Sequence, residues 1–313
     1  MRNHFADTFF EAAKDDPRLC IVVADISPAG SIQKFGEAYP ERFVNTGVAE
    51  QVMIGMAAGM ALRGLRPFAY TIATFSLYRP FEMVRNDLAY QHLPVTVVGI
   101  GGGVSYSTLG GTHHAQEDIA IACAIPGMSV ISPCDPLEVR DATRHCVTQE
   151  DGPIYLRLGK AGEPVLTHEA AEPFCFGKLR YLRRGTEVCV MAHGSIMKMA
   201  VQVADALAEQ GLSVSLVSAH TLKPLDRAGV TEVVRTHGRV VVIEETSPQN
   251  GLGPMVKQIA WDSQARCNLH TFALQDAFIH IYGGHNDILT AHGLTVLRIL
   301  DAIAAGGDHG FGN

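Results

Sequence analysis

Asn45-Thr46-Gly47-Val48-Ala49-Glu50-Gln51, running on into Val52-Met53-Ile54-Gly55-Met56-Ala57-Ala58-Gly59-Met60-Ala61-Leu62, is the stretch on which the fold turns. One carboxylate, Glu50, stands at the head of a segment with no charge from 52 to 62. A helix that is apolar all round is buried on every side. Small residues at 55, 57, 58, 59 and 61 let neighbouring backbones approach closely. A glutamate at the mouth of such a helix either complements the helix dipole or loses solvent, which makes its neutral, proton-donating form accessible near neutral pH. Its neighbours in the chain bear on that choice.

Strands and helices alternate on both sides of it. The apolar run 19–24, closed by Asp25, predicts a buried parallel strand, and 42–45 a short strand that delivers the chain to Glu50. Further strands are expected over 66–72, 95–100, 128–132 and 154–158, with helices over 5–14, 31–39, 77–91, 117–124 and 136–147. Such alternation predicts a doubly wound α/β layer on a mostly parallel sheet. The composition shifts over 160–178, where Lys160-Ala161-Gly162-Glu163-Pro164 and Glu172-Pro173 suggest a linker. A second α/β series follows, with strands over 186–192, 214–217, 240–244 and 268–273 and helices over 196–209, 227–235, 251–261 and 287–305. Two doubly wound domains are predicted, 1–165 and 178–305, with a linker over 166–177 and a disordered tail over 306–313.

The bulk composition excludes several functions. Of 313 residues 47% are hydrophobic, enough for two cores, and the net charge of −7 without a basic run argues against a nucleic-acid surface. Seven cysteines, scattered and odd in number with no C-x-x-C pair, suggest neither a disulfide framework nor a zinc site. Most read as buried thiols in a reducing cytosol. No apolar signal core opens the chain and no uncharged apolar run is long enough to span a membrane, so a cytoplasmic protein is expected.

In open α/β sheets, ligands sit beyond the carboxyl ends of the strands. Four features fall there: Asp25, Glu50, the segment Phe75-Ser76-Leu77-Tyr78, and the glycine-rich loop 101–113. Phe75, Tyr78 and Phe81 are three apart, so at a helix start they share one face, as a core stripe or as an aromatic wall against a flat heterocycle. Glycines in the loop permit close backbone approach to a ligand. His113 and His114 are suited to metal binding, proton transfer or hydrogen-bond donation, but adjacent residues point apart and are not expected to chelate together.

The ordered set FVNTGVAEQ (43–51), TFSLYRPFEMVRND (74–87), GGTHHAQEDIA (110–120), MSVISPCDPLE (128–138) and GPIYLRLGK (152–160) resembles the pyrimidine-binding domain of transketolase-like thiamine diphosphate enzymes. His220-Thr221-Leu222-Lys223-Pro224-Leu225-Asp226, and Glu244-Glu245 before Gly251-Leu252-Gly253, resemble the family's C-terminal domain. The resemblance implies that Glu50 hydrogen-bonds N1′ of the aminopyrimidine and favours the imino tautomer, whose 4′-nitrogen removes the C2 proton of the thiazolium. It further implies that Phe75, Tyr78 and Phe81 surround the pyrimidine and that Ile26 helps hold the cofactor bent. On the substrate side it implies Asp25, His113 and His114, with Lys160 and Arg2 at substrate-phosphate positions.

The family's diphosphate and Mg²⁺ site carries a G-D-G…N signature, which is missing from these 313 residues. The resemblance therefore implies the C-terminal subunit of a split transketolase, with no metal ligands of its own. An N-terminal diphosphate-binding subunit would complete it, in a heterotetramer with two copies of each chain. The substrate half departs from the family pattern. Leu109 stands in place of an acidic residue, Gly101 of a histidine and Ala29 of a serine, and Lys160 offers a point charge where arginine offers a fork. The implied chemistry is transfer of a two-carbon ketol unit from a ketose donor to an aldehyde acceptor, on a sugar or sugar phosphate. The alternatives are the β-type subunit of a 2-oxo acid dehydrogenase, a deoxyxylulose-phosphate-synthase-like carboligase, or a non-catalytic interaction subunit.

Overall fold

Six parallel strands built from the first half of the chain run side by side in the computed structural model, which describes residues 1–26, 30–168, 170 and 172–306. The strands are β1 (Leu19–Val23), β2 (Phe43–Asn45), β3 (Arg66–Ile72), β4 (Thr96–Ile100), β5 (Ser129–Ile131) and β6 (Ile154–Leu158). All are parallel to their neighbours in the order β5-β6-β4-β3-β1-β2. Except in the edge strand β2, their apolar runs are buried on both faces, as a sheet covered by helices on two sides requires. On one face α1 (Arg2–Asp15) and α2 (Ser31–Ala38) pack Phe5, Phe9, Ile32 and Phe35. On the other, α3 (Glu50–Leu62) packs Met53, Ile54 and Ala57.

The second half forms β7 (Arg180–Arg183), β8 (Val188–Ala192), β9 (Val214–Ser218), β10 (Thr221–Lys223), β11 (Arg239–Ile243) and β12 (Asn268–Phe272). Five of these make a second sheet in the order β12-β11-β8-β9-β7, with β7 antiparallel at the edge. The sixth, β10, crosses over and pairs antiparallel with β5, making the first sheet seven-stranded. A three-residue strand whose partner lies some ninety positions away leaves no periodic signal in its own sequence.

Three expectations need correction. The helix expected over 77–91 is broken: Ala73–Leu77 ends in a turn at Tyr78-Arg79-Pro80, Phe81–Met83 restarts it, and Val84–Ala89 continues with π-type bonds. Pro80 lacks the N–H that a continuous helix needs. The helix over 287–305 is two, His285–Ala291 and Val296–Ala305, with Gly293 at φ +73° and Thr295 capping the second. Together they are long and apolar enough to cross a membrane by length and composition, yet Ile288, Leu289, Ile299 and Ile303 pack into the second core. Finally, α3 is not buried on every side. Val52 (54%), Met56 (39%) and Leu62 (62%) are exposed, and Gly55 and Gly59 on that face have open space around them. The tail beyond Gly306 and the departure at Ala29 lie outside the described residues.

Candidate active site

Because β2, β1, β3, β4 and β6 are parallel and adjacent, their carboxyl ends line up along one edge. That edge carries, in spatial order, Glu50, Asp25 with Ile26, Phe75, the loop 101–113 and Lys160. The turn into α3 is held locally. Asn45 Oδ1 accepts the N–H groups of Gly47 (2.9 Å) and Asp25 (3.2 Å), tying the ends of β1 and β2 together. Gly47 takes φ +67° and Asp25 φ +44°, the latter a region that side-chain-bearing residues enter rarely.

Glu50 is 3% exposed in the first turn of α3. Its setting is not purely apolar, as the sequence suggested: Arg79 Nη1 donates to Glu50 Oε1 at 2.8 Å. The same guanidinium lies 4.1 Å from the Phe75 ring centroid, a cation on an aromatic face. His113 meets Phe75 edge-on at 5.1 Å and Tyr106 at 6.2 Å, and Lys160 Nζ sits 5.0 Å from the Tyr106 ring. These contacts make one continuous row, Glu50–Arg79–Phe75–His113–Tyr106–Lys160. Burial and then the Arg79 charge lower the His113 pKa, favouring a neutral imidazole that can both donate and accept. Thr112 Oγ1 lies 2.9 Å from its Nδ1.

The two adjacent histidines do part. His114 is buried at the seam between the two sheets, where burial lowers its pKa and Glu245 lies within electrostatic reach. Arg2 approaches the row from α1: its charge partly offsets the burial that raises the Tyr106 phenol. A side chain at Gly101 would meet the Tyr106 ring at 2.2 Å, so tyrosine fills the space next to that position. Lys160 also borders a cavity of about 280 Å³ between the halves, with Ser105, Ser195, Lys198 and His285.

Phe75, Tyr78 and Phe81 do not form one aromatic face: the turn at Tyr78-Arg79-Pro80 parts Phe81 from Phe75, and the Tyr78 hydroxyl is held by Glu117. Among the described residues no ring contact joins them. Tyr78 is anchored elsewhere: its hydroxyl donates to Glu117 Oε2 (2.8 Å) and accepts the Glu117 N–H (3.1 Å). Burial and the nearby Asp118 and Glu117 charges push its phenol well above the usual range. Phe81 is partly exposed, and half-buried Ile26 packs toward the α1 side of the sheet. Among the described residues no three His, Cys, Asp or Glu side chains converge as a metal site needs.

Sequence reasoning missed Arg79 and Tyr106. Both lie inside motifs already singled out, and the signal was a cation and an aromatic at strand ends. Which partner each takes depends on how the turns fold.

A buried carboxylate, an aromatic ring and a glycine-rich loop thus meet at the carboxyl edge of the parallel sheet of an α/β chain. Residues 1–162 match the transketolase pyrimidine-binding domain and 177–299 the transketolase C-terminal domain, and the chain belongs to the transketolase family. It is 31% identical over 94% of its length to an apulose-4-phosphate transketolase subunit of Phocaeicola vulgatus, covering 93% of that protein. It is 36% identical over 81% of its length to the 6-deoxy-6-sulfo-D-fructose transketolase subunit SqwH of Clostridium sp., covering 78% of it. Among solved structures it resembles a split gene transketolase described as an inactive beta4 tetramer (TM-score 0.87, 30% identity, 97% of each chain covered).

Proposed function

We propose that this chain is the pyrimidine-binding subunit of a split, thiamine diphosphate-dependent transketolase that moves a two-carbon ketol unit from a ketose to an aldehyde. The observation that carries this reading is the bridge of Arg79 between Phe75 and buried Glu50. A flat guanidinium now lies on the ring and hydrogen-bonds the buried carboxylate. An aminopyrimidine has the same flat shape, and with a proton shared between N1′ and the carboxyl it would likewise be bound edge-on by Glu50, so the residues fit the group. Thiamine diphosphate, when bound, supplies the electron sink for cleaving a carbon–carbon bond beside a carbonyl. Glu50 would hold a proton at the pyrimidine N1′, and Phe75 would stack on the ring. His113 would donate to substrate oxygens beyond Phe75.

The diphosphate and Mg²⁺ are assigned to a partner subunit with the G-D-G…N signature. The exposed apolar face of α3 and the beta4 tetramer of the split gene relative support self-association of this chain, and we place it in an assembly with two copies of each chain. The relatives named for apulose 4-phosphate and 6-deoxy-6-sulfo-D-fructose support a sugar with an anionic end. Lys160 and Arg2, both near Tyr106, are the cations on that side.

The test is reconstitution with a chain carrying that signature, in thiamine diphosphate and Mg²⁺, over a panel of ketose donors, aldehydes and 2-oxo acids. Ketol transfer is expected, falling by about 100-fold or more in Glu50→Ala with the fold intact. Turnover of 2-oxo acids alone would overturn the reading, as would full activity without the partner.

A further inference from the structure

Glu245 is a fully buried carboxylate that belongs to the second half of the chain and accepts a backbone hydrogen bond from the first. It follows β11 and is 2% exposed. Its Oε1 accepts the Val104 N–H at 2.7 Å and lies 2.8 Å from His285 Nε2. A Cβ on Gly103 would sit 2.4 Å from that same oxygen, and Gly103 takes φ +67°. Only glycine lets the loop come this near.

Further contacts join there. Gly103 and Ala115 exchange backbone hydrogen bonds (3.1 and 2.8 Å), closing the neck of the loop that bears Tyr106, His113 and His114. The Ser247 N–H donates to Gln116 O at 2.7 Å, one residue beyond the neck. Buried Arg157 donates to the Glu245 carbonyl (3.0 Å) and to Asp118 (2.8 Å). The Val104 side chain is packed in the second core, with residues such as Ile243 and Phe272.

A buried carboxylate is costly unless it is paired and hydrogen-bonded, and an apolar side chain would fill this space more cheaply. We infer that Glu245, locked by His285, is a positioning residue through which the second half fixes the neck of the 103–115 loop and so sets His113 against Phe75. The role of His113 in the site rests on the function proposed above. The clamp does not, and its test reads loop geometry without turnover.

Amide exchange followed by mass spectrometry on the full chain, with ¹³C-histidine spectra assigned through His113→Gln, tests it. Glu245→Ala should speed exchange in peptides spanning 103–115 by about tenfold or more. It should also shift the His113 resonance, which lies in the ring-current field of Phe75 and Tyr106. Peptides from β1, β3 and β4 should keep their protection. Glu245→Gln, which retains an acceptor oxygen for both donors but not the charge, should restore loop protection and the His113 signal in part. Should Glu245→Ala fail to fold, Gly103→Ala carries the same test, because its Cβ displaces the neck with Glu245 intact. An unmoved His113 signal in the variant tested would overturn the inference. So would glutamine behaving as alanine does, or loosening of the sheet equal to that of the loop.

Discussion

Arg79 and Glu50, twenty-nine positions apart, form an ion pair at the carboxyl edge of the first sheet, with Nη1 and Oε1 separated by 2.8 Å. The glutamate is buried and the arginine is about half exposed, so solvent screens the pair and its net worth is small. Arg79→Ala should cost about 1 kcal/mol in urea unfolding. A double-mutant cycle with Glu50→Ala should recover a coupling of similar size. Zero coupling would show that the pair contributes nothing to the folded chain.

The open face of α3 yields a prediction in which fold and assembly respond oppositely. A side chain at Gly59 meets nothing within 4 Å. Gly59→Leu should therefore leave the chain folded and raise helix stability by about 0.5–1 kcal/mol. If another chain packs on this face, the same change should weaken association by about tenfold or more in sedimentation velocity. Unchanged association would remove this face from the assembly.

The clamp at Glu245 has a defined pH window. Burial alone would raise its carboxyl, but the charge and hydrogen bond of His285, with Arg157 and the Val104 N–H, hold it below the ordinary value of 4.5. A depressed carboxyl contributes stability above its unfolded pKa and loses it as pH falls through the folded value. Glu245 in turn raises His285 above 6.5, against burial, with Glu163 adding to the rise and Lys198 opposing it. A raised histidine contributes below its unfolded pKa and loses the contribution as pH climbs through the folded value. Nearby His114 and His292 are both lowered by burial, the latter to about 4. Loop protection, corrected for intrinsic exchange, should be greatest between about pH 4.5 and 6.5 and decline above it. In His285→Gln the decline on the alkaline side should vanish.

Leu109 is 51% exposed at the end of the short turn Ser107–Leu109, on the same loop as His113. Placing a carboxylate there adds an acceptor for a substrate hydroxyl. Leu109→Asp should move the ratio of kcat/KM values toward hydroxylated phospho-sugar acceptors by about tenfold. Equal relative rates across acceptors would dissociate this loop from acceptor choice.

Much of this chain was legible from its sequence because the signals were local. Alternating apolar runs marked the parallel strands, the uncharged run 52–62 behind Glu50 marked α3, and a run of glycines marked the loop after β4. Strand ends then singled out Glu50, Phe75 and His113 as neighbours, since parallel strands present the same end to one edge.

Tertiary structure decided what depends on meetings between distant residues. The break at Pro80 parted Phe81 from the aromatic set, while Glu117 took Tyr78 and Arg79 and His113 took Phe75. Pairing of β10 with β5 joined the two halves, and Glu245 reached across 141 positions to Val104. Periodicity records which face of an element is apolar, but not what covers it. That is why α3 read as buried all round, while in the folded chain one of its faces stands open. A pattern fixes each element through its own backbone bonds. Ion pairs and clamps arise only once packing has brought their two ends together.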